Sequence, residues 1–203
     1  MKKFTALLTA LLVLFTTTAH AQQMAIANDV GRAEAYFQNL KTAKARFVQT
    51  NPDGTQVKGT FYLSRPGKLR FEYDPPVKDF VVADGLFIYF YDAQLGQQTN
   101  APISQTLADF LLRKNLKLSG DLKVTTIKRD GGLLQMTVVQ AAEPNAGALT
   151  LGFTEAPFEL KKWRVRDATG NLTEVELFDT QPNVSLPSKL FAYHDPVRKG
   201  LNK

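Results

Sequence analysis

The chain contains no cysteine. Disulfides, a thiolate nucleophile, a cysteine-bound structural zinc and a lipid-modified cysteine at a processed N-terminus are therefore excluded, and the fold must be held by its core alone. Histidine is almost as scarce, with two residues, His20 and His194. No G-x-S-x-G elbow, no H-E-x-x-H pair and no glycine-rich phosphate loop occurs. A Ser-His-Asp arrangement would have to combine His194 with its immediate neighbour Asp195, and adjacent side chains seldom orient one another in that way. Asp74 and Asp79 flank Pro75-Pro76, where nearby acids are ordinarily solvated turn residues. The sequence reads as that of a non-enzyme without cofactor or metal, a lipid hydrolase built on His194 being the catalytic alternative.

A long hydrophobic run is missing as well. The one candidate, Phe4 to Phe15, falls short of the ~20 residues that a spanning helix needs. Lys2-Lys3 precede it and Ala19-His20-Ala21 follow it, which is the make-up of a secretory signal peptide. We expect residues 1–21 to be removed and residues 22–203 to form one exported, soluble domain. Loss of the two lysines lowers the formal net charge from +6 to +4. Such a modest, scattered excess makes a solvated face rather than a nucleic-acid site, although weak attraction to an anionic membrane or an acidic partner stays open.

What is present is mostly strand. Asn28-Asp29 precede Val30, Ala33, Phe37 and Leu40, a capping pair followed by apolar residues at helical spacing. From Ala45 onward the period becomes two, as in Phe47 with Gln49, Phe61 with Leu63, Leu69 with Phe71 and Tyr73, Val81, and the run from Leu86 to Tyr91. Asp53-Gly54, Pro66-Gly67, Asp84-Gly85, Asp130-Gly131 and Gly170-Asn171 mark tight turns between such runs. Ser104 can cap a helix to Arg113 on which Leu107, Phe110 and Leu111 share a face. Strand patterns resume over residues 122–129, 133–140, 148–153, 160–166 and 172–178, and end with Leu190-Phe191-Ala192-Tyr193. About eleven strands in a meander must curl into a barrel or half-barrel. Periodicity leaves open whether the inward apolar row is a filled core or the wall of a hollow.

Taken in order, Phe47-Val48-Gln49, Gly59-Thr60-Phe61, the stretch from Arg65 to Tyr73, Pro76, Val82-Ala83-Asp84-Gly85 and Tyr89-Phe90-Tyr91-Asp92 resemble the periplasmic outer-membrane lipoprotein carrier family, LolA. The resemblance is specific from about Lys44 to Gln98; the last third of the chain fits in strand rhythm. It implies a mainly β protein, an open antiparallel half-barrel of about eleven strands capped by a helical lid, whose hollow carries the acyl chains of lipoproteins from inner to outer membrane. The implied location is the periplasm. The implied partners are acylated lipoproteins, an inner-membrane ABC-type lipoprotein-releasing complex and an outer-membrane lipoprotein receptor, with the carrier a monomer that has no nucleic-acid partner. The related receptor, LolB, needs an N-terminal cysteine, so the carrier is the nearer match.

On this resemblance Arg65 ties the strand end to the lid and holds the empty form closed. We expect Phe47, Phe61, Leu63, Leu69, Phe71 and Tyr73, which share parity on their strands, to line the hollow, with Phe110 and Leu111 on the lid side. The expected inward row is left unfilled so that fatty tails fit there. The alternative is a filled core in an adaptor that works through an exposed sheet edge. Two features depart from the family pattern: Phe191 to Lys203 do not match its C-terminal strand and tail, and Tyr89 stands where tryptophan is common.

Overall fold

The computed structural model describes residues 23–196, so the expected signal peptide and the last residues of the chain lie outside it. A helix, α1, occupies residues 23–39. Six strands follow as a meander: β1 (Thr42–Thr50), β2 (Gln56–Ser64), β3 (Lys68–Tyr73), β4 (Phe80–Asp84), β5 (Phe87–Asp92) and β6 (Gln97–Pro102). A 3-10 turn at Ile103–Gln105 and a single-turn helix, α2 (Asp109–Leu112), lead to β7 (Leu122–Asp130), β8 (Leu133–Gln140), β9 (Gly147–Glu155), β10 (Phe158–Asp167) and β11 (Leu172–Pro182). All eleven join in one antiparallel sheet of order β6-β5-β4-β3-β2-β1-β11-β10-β9-β8-β7. Each strand pairs with its sequence neighbour except at the centre, where β11 returns beside β1, and the sheet stays open between β6 and β7.

The sheet is strongly curled. β2 and β10 are three strand spacings apart, ~14 Å if flat, yet the rings of Phe61 and Trp163 approach to 5.4 Å. The concave side collects one continuous apolar cluster, to which α1 contributes Ala33 and Phe37, the residue after it Leu40, and the 103–118 segment Ile103, Phe110, Leu111 and Leu112. The helices thus cover the concave face and shield the inward side chains of the central strands from water.

Several sequence expectations are corrected. Asn28 and Asp29 do not cap α1, which already runs through residue 23. Asp29 is instead buried within it and receives a 3.1 Å contact from Arg129, while Arg32 reaches Glu155. Ser104 lies in the 3-10 turn, and α2 begins only at Asp109, with Ala108 as a cap that offers no side-chain bond. The number of strands agrees, but not every strand: Gln97–Pro102 is an edge strand that alternation could not reveal, because QQTNAP has almost no apolar face. Leu190 to Tyr193 is not a strand; Ser188–Phe191 is a 3-10 turn, followed by extended chain.

That C-terminal segment packs on the convex side, against β3 and β4. Tyr193 stacks on Tyr89 with ring centroids 4.5 Å apart, so the two departures from the family pattern meet each other. Phe80 stacks in turn on Tyr91 at 5.1 Å, and Arg70 lies over the Phe80 ring.

Candidate functional site

Register decides which side chains share the concave face. β1 and β2 pair Phe47 with Gly59, Ala45 with Phe61 and Ala43 with Leu63. β2 and β3 pair Gly59 with Tyr73, Phe61 with Phe71 and Leu63 with Leu69. With side chains alternating between faces, the six strand residues singled out from the sequence fall on one inward surface. Phe47, Phe61, Leu63 and Leu69 are buried and Phe71 and Tyr73 partly so, all within one cluster that also holds Phe110 and Leu111.

The aromatic members touch in a chain. Tyr73 meets Phe47 at 5.5 Å, Phe47 meets Phe71 at 5.1 Å, Phe71 meets Phe61 at 4.8 Å, and Phe61 meets Trp163. Gly59 makes this possible: a Cβ there would lie 2.1 Å from the Glu72 carbonyl and 2.7 Å from the Phe47 ring, which covers the glycine instead. The Tyr73 hydroxyl donates to Gln49 Oε1 at 3.0 Å. Burial, partly opposed by that bond, pushes the phenol up to about 12, so it stays neutral near pH 7.

Arg65 stands at one end of this row. Its Nη1 donates to the Phe37 carbonyl in the last turn of α1 and, at 3.4 Å, to that of Leu40; its Nη2 donates to the Arg113 carbonyl just after α2. One guanidinium therefore joins both helical pieces to the β2–β3 turn, favourably placed at a helix's carbonyl end. The backbone repeats the link, since Arg65 N–H donates to Lys41 O at 2.7 Å and Gly67 N–H to Leu112 O at 2.9 Å. Gly67 has φ +81°, and a Cβ there would come within 2.9 Å of the Gly85 Cα, so only glycine allows the two turns to touch. Burial without a carboxylate partner pulls the Arg65 pKa down, and its Nε has no hydrogen-bond partner.

The compartment under the helices is small. Beneath α1 the apolar compartment measures about 20 Å³, room for about one water and far too little for an acyl chain. Phe37 from α1 and Leu40 just after it, Leu111 from α2 and Trp163 from β10 close the space, facing Phe61 and Leu63. Of the expected lining residues, Phe61, Leu63 and Leu111 border this space, while Phe47, Leu69, Phe71, Tyr73 and Phe110 pack in the core beside it. Sequence reasoning passed over Phe37, Leu160, Trp163 and Leu177. Alternation assigns Leu160 and Trp163 to opposite faces, but the register of β10 against β9 shifts between Leu160 and Lys162, and this bulge returns both to the concave side.

The residues weighed for catalysis are dispersed. Asp74 is bound by both Nη atoms of Arg46, Asp79 accepts the Ala93 N–H, and His194 is exposed after Tyr193. Among the described residues, no three His, Asp or Glu side chains are placed to hold a metal ion, and no helix is long and apolar enough to cross a membrane.

Residues 38–194 match the family described as outer membrane lipoprotein carrier protein LolA. A protein from Methylibium petroleiphilum named outer-membrane lipoprotein carrier protein is 28% identical over 179 residues, 84% of this chain and 87% of its own. Another of that name, from Dechloromonas aromatica, is 30% identical over 186 residues, 86% of this chain and 87% of its own. The crystal structure of a LolA superfamily protein from Nitrosomonas europaea aligns over 81% of this chain and 96% of that one, with 11% identity and a TM-score of 0.43.

Proposed function

Since this chain belongs to the outer membrane lipoprotein carrier protein LolA family, we propose that it takes up the acyl chains of lipoproteins between its concave sheet and its helices and carries them through the periplasm from inner to outer membrane. On this reading it performs no catalysis. The observation that carries the reading is the contiguous apolar row from Tyr73 to Trp163, closed by helices that one half-buried arginine ties down.

The magnitudes favour a shielded carrier. Each methylene taken out of water contributes about 0.8 kcal/mol, so one long acyl chain exposed to the periplasm costs on the order of 10 kcal/mol. Transfer from bilayer to an apolar protein interior leaves that term nearly unchanged, and small differences then set the direction. The work of extraction falls to an inner-membrane ABC-type complex, and delivery to an outer-membrane receptor. Because the compartment beneath the helices is small, loading requires α1 and α2 to move away from the sheet. A charged hydrogen bond contributes about 1.5 to 3 kcal/mol, while burial of an incompletely satisfied guanidinium offsets much of this. Arg65 is thus a lock that a bound chain can displace.

The test is uptake of a fluorescent apolar probe by the processed protein, expected to be lost in Phe71→Glu without loss of the β-sheet circular dichroism signal, together with release of lipoproteins from spheroplasts. The small compartment and the exposed edge of β6 favour a second reading, an adaptor with a filled core that binds partners by strand addition. Folded protein that takes up no probe and releases no lipoprotein would establish that reading instead.

A further inference from the structure

Beyond Tyr73 the concave face continues into a second space. An open groove of about 590 Å³ lies between the Gln49 end of β1 and the β5–β6 turn, at the end of the sheet away from Arg65. Its floor prolongs the inward row: Gln49 pairs with Val57, Tyr73 follows Phe71 by two residues, Phe71 pairs with Val81, and Val81 pairs with Phe90. Phe90 and Leu95 stand 46% and 67% exposed at the mouth, large apolar groups with unburied area. The border is polar and acidic, with Asp79, Asp92, Asn51 and Gln97, and among the described residues no Lys, Arg or His lines the groove.

We propose that this groove is a docking site for the first acyl chain of the cargo, used while α1 is still closed, and that it selects chains whose head is neutral. The inference rests on the carrier reading. Tyr73 belongs both to the groove and to the aromatic chain leading to Trp163, so a hydrocarbon lying on Val57, Val81 and Phe90 already abuts the rings that separate it from the closed compartment. Two carboxylates at the mouth repel a free fatty acid or an anionic headgroup, whereas the glyceryl esters and amides of an acylated protein N-terminus meet amide side chains able to hydrogen-bond them.

The absence of cysteine permits a site-specific test. Leu95→Cys, labelled with a solvatochromic dye, is titrated with monolaurin and with ionised laurate, alongside fluorescent probe uptake. The dye is expected to shift to the blue with monolaurin, and laurate to bind about tenfold more weakly, the scale of a modest charge repulsion near a surface. Phe90→Glu, a half-exposed site that tolerates charge, should weaken monolaurin binding at least about tenfold, on the scale of losing one partly buried aromatic contact. If the protein takes up the apolar probe while the dye at position 95 stays silent and Phe90→Glu binds as wild type does, the docking site is overturned and the carrier reading stands. Equal affinity for laurate and monolaurin overturns the selectivity. Absence of any lipid or probe binding overturns the carrier reading itself, and the groove with it.

Discussion

The two halves of the sheet are built differently. In β8 and β9, Leu134, Met136 and Val138 face Phe153, Leu151 and Leu149 across the strand pair, and all six are buried. In β3 to β6 the inward residues are chiefly aromatic or small, and Phe71, Tyr73, Val81 and Phe90 remain partly or well exposed. Aliphatic interdigitation without gaps makes a rigid half. The partly exposed aromatic row of the other half is where, on the carrier reading, a guest is accommodated. Truncations in β8 and β9 are therefore expected to act mainly on stability and truncations in the aromatic row mainly on uptake.

The strongest challenge to this contrast is a pair of truncations. Leu151→Ala should cost about 2 to 5 kcal/mol, lowering Tm by roughly 5 to 15 °C for a chain of this length, with probe uptake retained at temperatures where the protein stays folded. Phe71→Ala should cost only about 1 to 2 kcal/mol because the ring is half-buried, yet reduce uptake severely. Thermal melts with binding titrations check both, and equal stability losses would erase the distinction.

Gly59→Ala probes the seam between the halves. Its methyl group collides with a backbone carbonyl and with Phe47, so a loss of about 1 to 3 kcal/mol is expected, with the disturbance visible in Phe47 and Tyr73 resonances rather than in β8 or β9. Arg65→Leu should change global stability by less than about 1 kcal/mol, since removal of a half-buried, incompletely paired charge offsets the lost bonds. Its signature is local: faster amide exchange in the last turn of α1 and at Leu112 and Arg113, and tighter, slower-releasing lipid binding as the closed state loses its advantage.

The smallest effect concerns acid. A hydrogen bond from Arg46 holds the Asp74 carboxyl below its ordinary range on the convex, solvated side. A depressed folded-state pKa contributes stability above the unfolded value, near pH 4, which is lost as pH falls through the folded value. Asp74→Asn should therefore slightly flatten the acid limb of a stability-against-pH curve and leave uptake unchanged.

Much of the concave face was legible because its parity is uninterrupted: from Phe47 through Phe61 to Tyr73, two-residue spacing and two tight turns carry the inward assignment across β1 to β3. Trp163 was not, because a bulge defeats parity counting, and Phe37 was legible as a helix face but not as part of this site, since nothing local states what an amphipathic helix covers. β6 escaped notice because an exposed edge strand is held by backbone pairing and needs no apolar alternation. Arg65 depended on the family resemblance; taken alone it is a turn residue, and only the three-dimensional approach of two helix ends gives its guanidinium carbonyls to bind. The hollow expected from the sequence is a small compartment in the folded chain, because side chains from distant segments occupy the concavity.

The chain's single tryptophan, Trp163, lines that compartment and offers its most direct test. Titration with lipoprotein carrying brominated acyl chains should quench Trp163 fluorescence saturably, at lower concentration in Arg65→Leu and not at all in Phe71→Glu. Tryptophan emission that stays unquenched while lipoprotein is demonstrably bound would mean that the acyl chain never reaches the space beneath the helices, and would contradict the account.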